Sequence, residues 1–100
     1  MELSIIIPIF NEELNIPALY TRLKQVALSI SPEHEFIFVN DGSKDRSMHL
    51  IEALAEKDTS VKYIDFSRNF GHQVAVTAGI DHASGRAVAI IDADLPILNS

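Results

Sequence analysis

The sequence points to an α/β domain with an open, mainly parallel sheet and helices on both faces. Three observations carry this. Short apolar, β-rich runs recur at Leu3 to Ile9, Glu35 to Asn40, Val61 to Phe66 and Ala87 to Ile91, each the length of a buried strand. The segments between them space their apolar residues as helices do. The intervening loops are short, and strands alternating with helices assemble into a parallel sheet covered on both sides. With right-handed crossovers the expected strand order is 3-2-1-4, which places a switch point between the first and fourth strands.

Leu3 to Ile9 is almost entirely apolar. Pro8 cannot donate a ladder hydrogen bond, so pairing is expected to end there. Phe10-Asn11-Glu12-Glu13 forms a polar loop. Asn15-Ile16-Pro17 opens a helix, with Asn15 the candidate N-cap and Pro17 in the first turn. Ile16, Leu19, Leu23, Val26, Ala27 and Ile30 make one apolar face, and Ser31-Pro32 ends the helix. The second strand runs into Asp41-Gly42-Ser43-Lys44-Asp45, a turn by composition. Ser43 or Asp45 can cap the next helix, about Arg46 to Lys57, whose core face is Met48, Ile51, Leu54 and Ala55. After the third strand comes the loop Ser67 to His72. A helix from about Gln73 to His82 carries Ala75, Ala78 and Gly79, small enough for close packing on a sheet. Ala83-Ser84-Gly85 breaks it. The fourth strand, read as buried, delivers the chain to Asp92-Ala93-Asp94-Leu95.

The chain has 100 residues, enough for one small domain with a modest core. Its net charge of −6 argues against nucleic acid as a partner. A phosphate ligand stays compatible with that charge, because a metal ion can supply positive charge locally. There is no cysteine, so disulfides, thiolate metal sites and a Cys nucleophile are ruled out. Met1-Glu2-Leu3-Ser4 has no basic region or cleavage site, so a secretory signal is not expected there, and no apolar run approaches the roughly 18 residues of a membrane span. The expected location of this chain is cytoplasmic.

Unusual polar residues fall at the carboxyl ends of all four strands: Asn11-Glu12, Asp41-Gly42-Ser43, Arg68-Asn69, and Asp92 with Asp94. In a parallel sheet these ends share one edge, where open α/β sheets bind ligands. The opposite edge, around Ser60 or Arg86, shows nothing comparable. Asp92 and Asp94 offer hard oxygens to Mg²⁺ or Mn²⁺, usually completed by substrate phosphate; the plain alternative is a polar turn. Asp41-Gly42-Ser43 is either a turn with a helix cap or a fixed acceptor for a nucleobase or ribose. Glu12 is a first-turn acid or a ribose contact. Arg68 is a surface charge or a partner for phosphate or for the acids nearby. His34, His49 and His82 sit in expected surface or helix positions; His72, beside Arg68 at a strand end, reads as a surface or cap residue, with contact to a ligand as the alternative. Dinucleotide-binding and P-loop glycine motifs are absent, as is the nucleophile elbow of a serine hydrolase.

Taken together, Ile7-Pro8-Ile9-Phe10-Asn11-Glu12-Glu13, Val39-Asn40-Asp41-Gly42-Ser43-Lys44-Asp45, Arg68-Asn69-Phe70-Gly71 with Ala78-Gly79, and Asp92-Ala93-Asp94-Leu95 resemble the family 2 glycosyltransferases. Within them the match is to the polyprenyl-phosphate sugar transferases, such as the bactoprenol glucosyltransferases and dolichol-phosphate mannose synthases. The resemblance covers Leu3 to Leu95. It implies the Rossmann-like nucleotide-binding half of a GT-A fold. It also implies that Pro8, Phe10 and Glu12 border the nucleoside, Phe10 replacing the commoner Tyr. Asp41 would bind the base, most often uracil, and Arg68 would lie on the floor of the nucleotide site. Asp92 and Asp94 would hold a Mg²⁺ or Mn²⁺ ion bridging the donor diphosphate.

The pattern departs after Leu95. Relatives continue with Gln-Asp-Pro-Pro-Glu or similar, whereas this chain has Pro96-Ile97-Leu98-Asn99-Ser100. A complete domain of this family is about twice this long, within the ordinary size of one domain. The expectation is therefore the donor-binding part of an incomplete catalytic domain. The acceptor-side base is missing from it, and the chain alone should be inactive or nearly so. The parent would transfer a sugar from a nucleotide-sugar, expected to be UDP-linked, to a lipid-phosphate acceptor such as polyprenyl phosphate, or to a glycan. It would sit on the cytoplasmic face of a membrane. The alternative is a non-catalytic nucleotide-binding or assembly module that keeps the half-fold. An unpaired sheet edge would further favour self-association.

Overall fold

A computed structural model of the chain describes residues 1–93. Seven elements alternate: β1 (Leu3–Ile9), α1 (Ile16–Ile30), β2 (His34–Asn40), α2 (Ser47–Lys57), β3 (Val61–Asp65), α3 (His72–His82) and β4 (Ala87–Ile90). The strands form one sheet in the order β3-β2-β1-β4, and each neighbouring pair is parallel. Fold class and strand order match the expectation from sequence. The expectations placed on Asp94 and on Leu95 to Ser100 lie outside the described residues.

Side chains alternate across the sheet and build two apolar layers. Leu3, Ile5, Ile7 and Ile9 of β1 join Phe36 and Phe38 of β2 on one face, against Ile16 and Ala27 of α1 and Ile51 of α2. Ile6, Ile37 and Val39 point the other way and meet Ala75 of α3. Helices therefore cover both faces. Each fully buried Phe or Ile contributes about 1.5–3 kcal/mol relative to exposure. Gly79 lets α3 lie close to the sheet, since a Cβ there would stand 2.4 Å from Ile6 Cγ2. Of the small residues read from the sequence, Ala75 and Gly79 form the buried contact surface of α3, while Ala78 is only partly buried.

Several local expectations need correction. Val26 and Ile30 do not join the apolar face of α1, being 52% and 64% exposed. Tyr20, packed on the core beside Leu19 and Leu23, completes that face instead. Asn15 makes no side-chain cap; its amide donates to Glu12 Oε1 at 2.7 Å. Asp45 does help to open α2, accepting the Ser47 N–H at 2.9 Å. Pro8 does not end pairing with β2, which continues to Ile9 and Asn40. The reason is the alternation of a parallel ladder. The carbonyls of Glu2 and Ile6 bond to β4, while that of Ile9 bonds toward β2, so the N–H that Pro8 lacks falls on the β4 side. There the described pairing stops at Ile6 and Ile90. Nor is β4 buried. Among the described residues it is an edge strand, with Val88 and Ile90 exposed.

The amino edge of the sheet is also not bare, contrary to expectation. Glu35 is fully buried and accepts from Ser4 Oγ at 2.6 Å, Lys62 Nζ at 2.5 Å and the Ser84 N–H at 2.7 Å. Burial pushes its carboxyl up, but the hydrogen bonds from Lys62, Ser4 and Ser84 outweigh that and leave it below its ordinary value. This network fastens the loop between α3 and β4 to the sheet. A second network joins α1 to the start of β3. Asp58 accepts from Tyr20 Oη at 2.5 Å and Lys24 Nζ at 2.9 Å, and from the Ser60 hydroxyl and N–H. Lys24 also reaches His34 Nε2 at 2.9 Å. His34 is a buried strand residue, not the surface histidine expected. Burial raises the Asp58 carboxyl, yet Tyr20, Lys24 and Ser60 together hold it well below the usual range. The Tyr20 hydroxyl is pushed up to about 12, by burial first and by Asp58 second. No described helix is long and apolar enough to cross a membrane.

Both carboxyls lie below their ordinary values in the folded chain. The stability they contribute is complete above about pH 4.5 and is lost as pH falls through their lowered values. Urea midpoints should fall on acidification below about pH 4. Glu35→Ala, which strands the Ser4 hydroxyl and the Ser84 N–H, should cost about 2–4 kcal/mol at neutral pH and remove part of the acid dependence. An unchanged midpoint in that variant would contradict this account of the amino edge.

Candidate functional site

The carboxyl edge is built from loops that hydrogen-bond to one another. In the loop after β1, Asn11 takes a positive φ of 54°, a conformation Asn tolerates better than most residues. Its N–H donates to Ser43 Oγ at 2.9 Å and its Oδ1 accepts the Lys44 N–H at 2.8 Å. Glu12 N–H donates to Ser47 Oγ at 2.9 Å. Glu13 N–H donates to Asp45 Oδ2 at 3.2 Å, while Glu13 Oε1 accepts the Arg46 N–H at 2.9 Å. The first loop is thus bonded residue by residue to the loop between β2 and α2. Ser43, proposed from sequence as a cap, serves this joint instead.

Asp41 makes the next joint. It is only 4% exposed. Its Oδ1 accepts the Phe70 N–H at 2.7 Å. Its Oδ2 accepts the Gly71 N–H at 3.0 Å and Asn69 Nδ2 at 3.1 Å. Asn69 Nδ2 also reaches the Asp41 carbonyl at 3.1 Å. The carboxylate therefore gathers the loop between β3 and α3 onto the end of β2. Gly42, at φ +73°, makes room for that approach, because a Cβ there would lie 2.3 Å from Arg68 C and Asn69 N. Asn40 extends the same joint toward β3, donating to Asp65 Oδ1 at 2.9 Å.

The remaining candidates lie around this frame. Pro8 is buried within β1, opposite Val39, one residue before the end of the strand. Phe10 is exposed on the loop after β1. Glu12 is half-buried, with Oε1 on Asn15. Arg68 is exposed, its guanidinium 4.6 Å from the Phe70 ring centre, and Phe70 stacks edge-on to Phe66. Asp92 follows β4, where the Ile91 N–H still bonds to the Ile6 carbonyl. Asp92 Oδ1 is 2.7 Å from His72 Nε2. Pro8, Phe10, Glu12, Asp41, Arg68 and Asp92 thus all come to the carboxyl edge or directly beneath it. Asn69 and His72 are the residues whose contacts the sequence reading missed. Their signal was positional, since Asn69 lies in the loop that leads into α3 and His72 opens that helix, on the edge where β4 ends.

For a divalent cation, the donor chemistry fits in kind. Asp92 brings exposed hard carboxylate oxygen, suited to Mg²⁺ or Mn²⁺ shared with substrate phosphate. Among the described residues there is no cluster of three or more His, Asp or Glu able to hold a metal alone. A cation here would draw further ligands from beyond them, and Asp94 lies outside that region.

Comparison with known proteins gives a consistent picture. The family model of Glycosyl transferase family 2 matches residues 4–98. The Bacillus subtilis protein YkcC, described as an uncharacterized glycosyltransferase, is 53% identical over 95 residues, covering 95% of this chain and 29% of its own length. The prophage bactoprenol glucosyl transferase homolog of Escherichia coli K12 is 45% identical, covering 95% of this chain and 31% of its own. The crystal structure of S. aureus TarS 1-349 in complex with UDP superposes with a TM-score of 0.76 at 28% identity, over 94% of this chain and 28% of that one. The chain spans about three-tenths of the length of the curated relatives it matches. A parallel sheet in 3-2-1-4 order, four polar strand ends on one edge and a family match across nearly every residue agree: the chain belongs to glycosyl transferase family 2.

Proposed function

We propose that this chain is the donor-binding part of a glycosyltransferase that moves a sugar from a UDP-sugar to a lipid-phosphate acceptor of the polyprenyl type. The observation that carries the reading is the carboxyl edge, where three loops are bonded into one surface and Asp92 stands on it. The likeness to a transferase solved with UDP supports the nucleotide, and the bactoprenol glucosyl transferases support the acceptor class. Phe10 and Glu12 border the nucleoside, with Pro8 beneath them. Arg68, held over Phe70, floors the nucleotide site. Asp41 acts mainly through the loop it gathers, because its carboxylate is buried and already accepts three donors. Asp92 and Asp94 would hold Mg²⁺ or Mn²⁺. Such an ion would supply positive charge to the departing nucleoside diphosphate. The work would take place on the cytoplasmic side of a membrane.

Calorimetric titration of UDP, with and without Mn²⁺, tests the reading. Binding should depend on the metal and be lost in Asp92→Ala and in Asp94→Ala. Metal-independent binding that survives both substitutions would sink the proposed roles of the two aspartates. Asp41→Asn separates a loop clamp from a simple base contact. It should speed amide exchange at Phe70 and Gly71 and cost about 1–3 kcal/mol of stability, besides weakening UDP. Weaker UDP binding with unchanged exchange would instead favour direct contact with the base. The exposed Val88 and Ile90 on edge strand β4 also favour self-association of this chain. Sedimentation velocity should show a concentration-dependent dimer or larger species, and a clean monomer would refute it.

A further inference from the structure

The contact between His72 and Asp92 has no evident task in folding. Both side chains are exposed, 62% and 45%, and an exposed pair of this kind adds little to stability. The packing of α3 is settled elsewhere, by Ala75 and Gly79 against Ile6, Ile37 and Val39. Yet the pair lies on the carboxyl edge and joins two different elements. His72 is the first residue of α3, and Asp92 is the second after β4.

Both ends of the contact are held by backbone bonds. On one side, Asp41 binds the N–H of Gly71 at 3.0 Å. Gly71 takes a φ of 110°, which an L side chain rarely adopts, and its carbonyl accepts the Ala75 N–H as the first turn closes. The origin of the His72 side chain is therefore fixed relative to β2. On the other side, the Ile91 N–H bonds to Ile6, which fixes the backbone next to Asp92 relative to β1. Between two anchored backbones, the 2.7 Å contact from Nε2 to Oδ1 selects one orientation of the carboxylate.

We propose that His72 is a positioning residue for Asp92: its Nε2–H holds Oδ1, so that the other carboxylate oxygen is presented to a divalent cation arriving with a nucleoside diphosphate. This inference rests on the donor-site reading above. It assigns His72 no bond to the metal or the nucleotide. Partners that orient a metal-binding side chain in this way typically change metal affinity by about 10- to 100-fold when removed.

The test is Mn²⁺ uptake by the 100-residue chain in the presence of UDP, read as loss of the free-ion signal in electron paramagnetic resonance. It compares the unsubstituted chain with His72→Ala, His72→Gln and Asp92→Asn. A parallel measurement follows the His72 ring resonances by nuclear magnetic resonance. His72→Ala should weaken Mn²⁺ by about 10-fold or more while leaving the thermal melt unchanged. His72→Gln, which keeps an N–H donor, should recover most of the loss. Asp92→Asn should shift the His72 ring resonances without any metal present. Unchanged uptake by His72→Ala, or ring resonances indifferent to Asp92→Asn, overturns this inference alone. Loss in His72→Ala with no recovery in His72→Gln also overturns it, in favour of His72 as a direct ligand. Absence of uptake by the unsubstituted chain overturns the donor-site reading, and this inference with it.

Discussion

The Asp41 carboxylate is the constraint on which the carboxyl edge depends. It directly follows β2, yet its three donors come from the loop that precedes α3. A buried carboxylate without donors would be costly to keep charged. Supplied with two backbone N–H groups and an amide, it becomes a rigid joint between neighbouring β-α connections. Gly42 makes the joint sterically feasible, because the Arg68–Asn69 backbone occupies the space where any Cβ would project. Arg68, Phe70 and His72 are consequences of this joint, since each leaves the chain within three residues of a backbone or side-chain group that Asp41 holds.

The two edges of the sheet spend polar side chains differently. At the amino edge, Glu35 and Asp58 are satisfied from several directions at once, and both carboxyls are lowered despite burial. Such networks fasten elements together and leave little acceptor capacity for a ligand. At the carboxyl edge, Asp41 is used in the same internal way, but Glu12, Arg68 and Asp92 are anchored through one contact each and remain reachable. Polar residues are thus present at both edges. What marks the proposed donor edge is that some of them are oriented without being consumed.

The strands and helices were legible because each apolar run carries one clear period, and because strict β-α alternation leaves few topologies to choose among. Failures came where a neighbour, not the segment itself, decides. Val26 and Ile30 fit the helical period of α1, but Tyr20 reaches both the core and Asp58, and the helix faces the sheet through it. β4 looks like a buried strand by composition, yet burial depends on what lies beside and above it, and only β1 pairs with it among the described residues. The candidate site was legible as a set of positions on one edge. The division of labour within it was not, since the donors to Asp41 come from 28 to 30 residues away.

The His72 contact was nearer to being legible than it first appears. In a β-α-β unit a helix begins, and its following strand ends, at the same edge of the sheet. A histidine opening α3 and an aspartate closing β4 are therefore brought to one edge by topology alone, and strand order then determines how close they come. Because β4 pairs with β1, and α3 packs across β1 and β2 on the face shared by Ile6, Ile37 and Val39, the start of α3 stands beside the exit of β4. An Asp-x-Asp motif read as an isolated turn has no reason to prefer one side-chain orientation. Placed at this exit, with a helix-opening imidazole in reach, its first carboxylate acquires one from the fold itself.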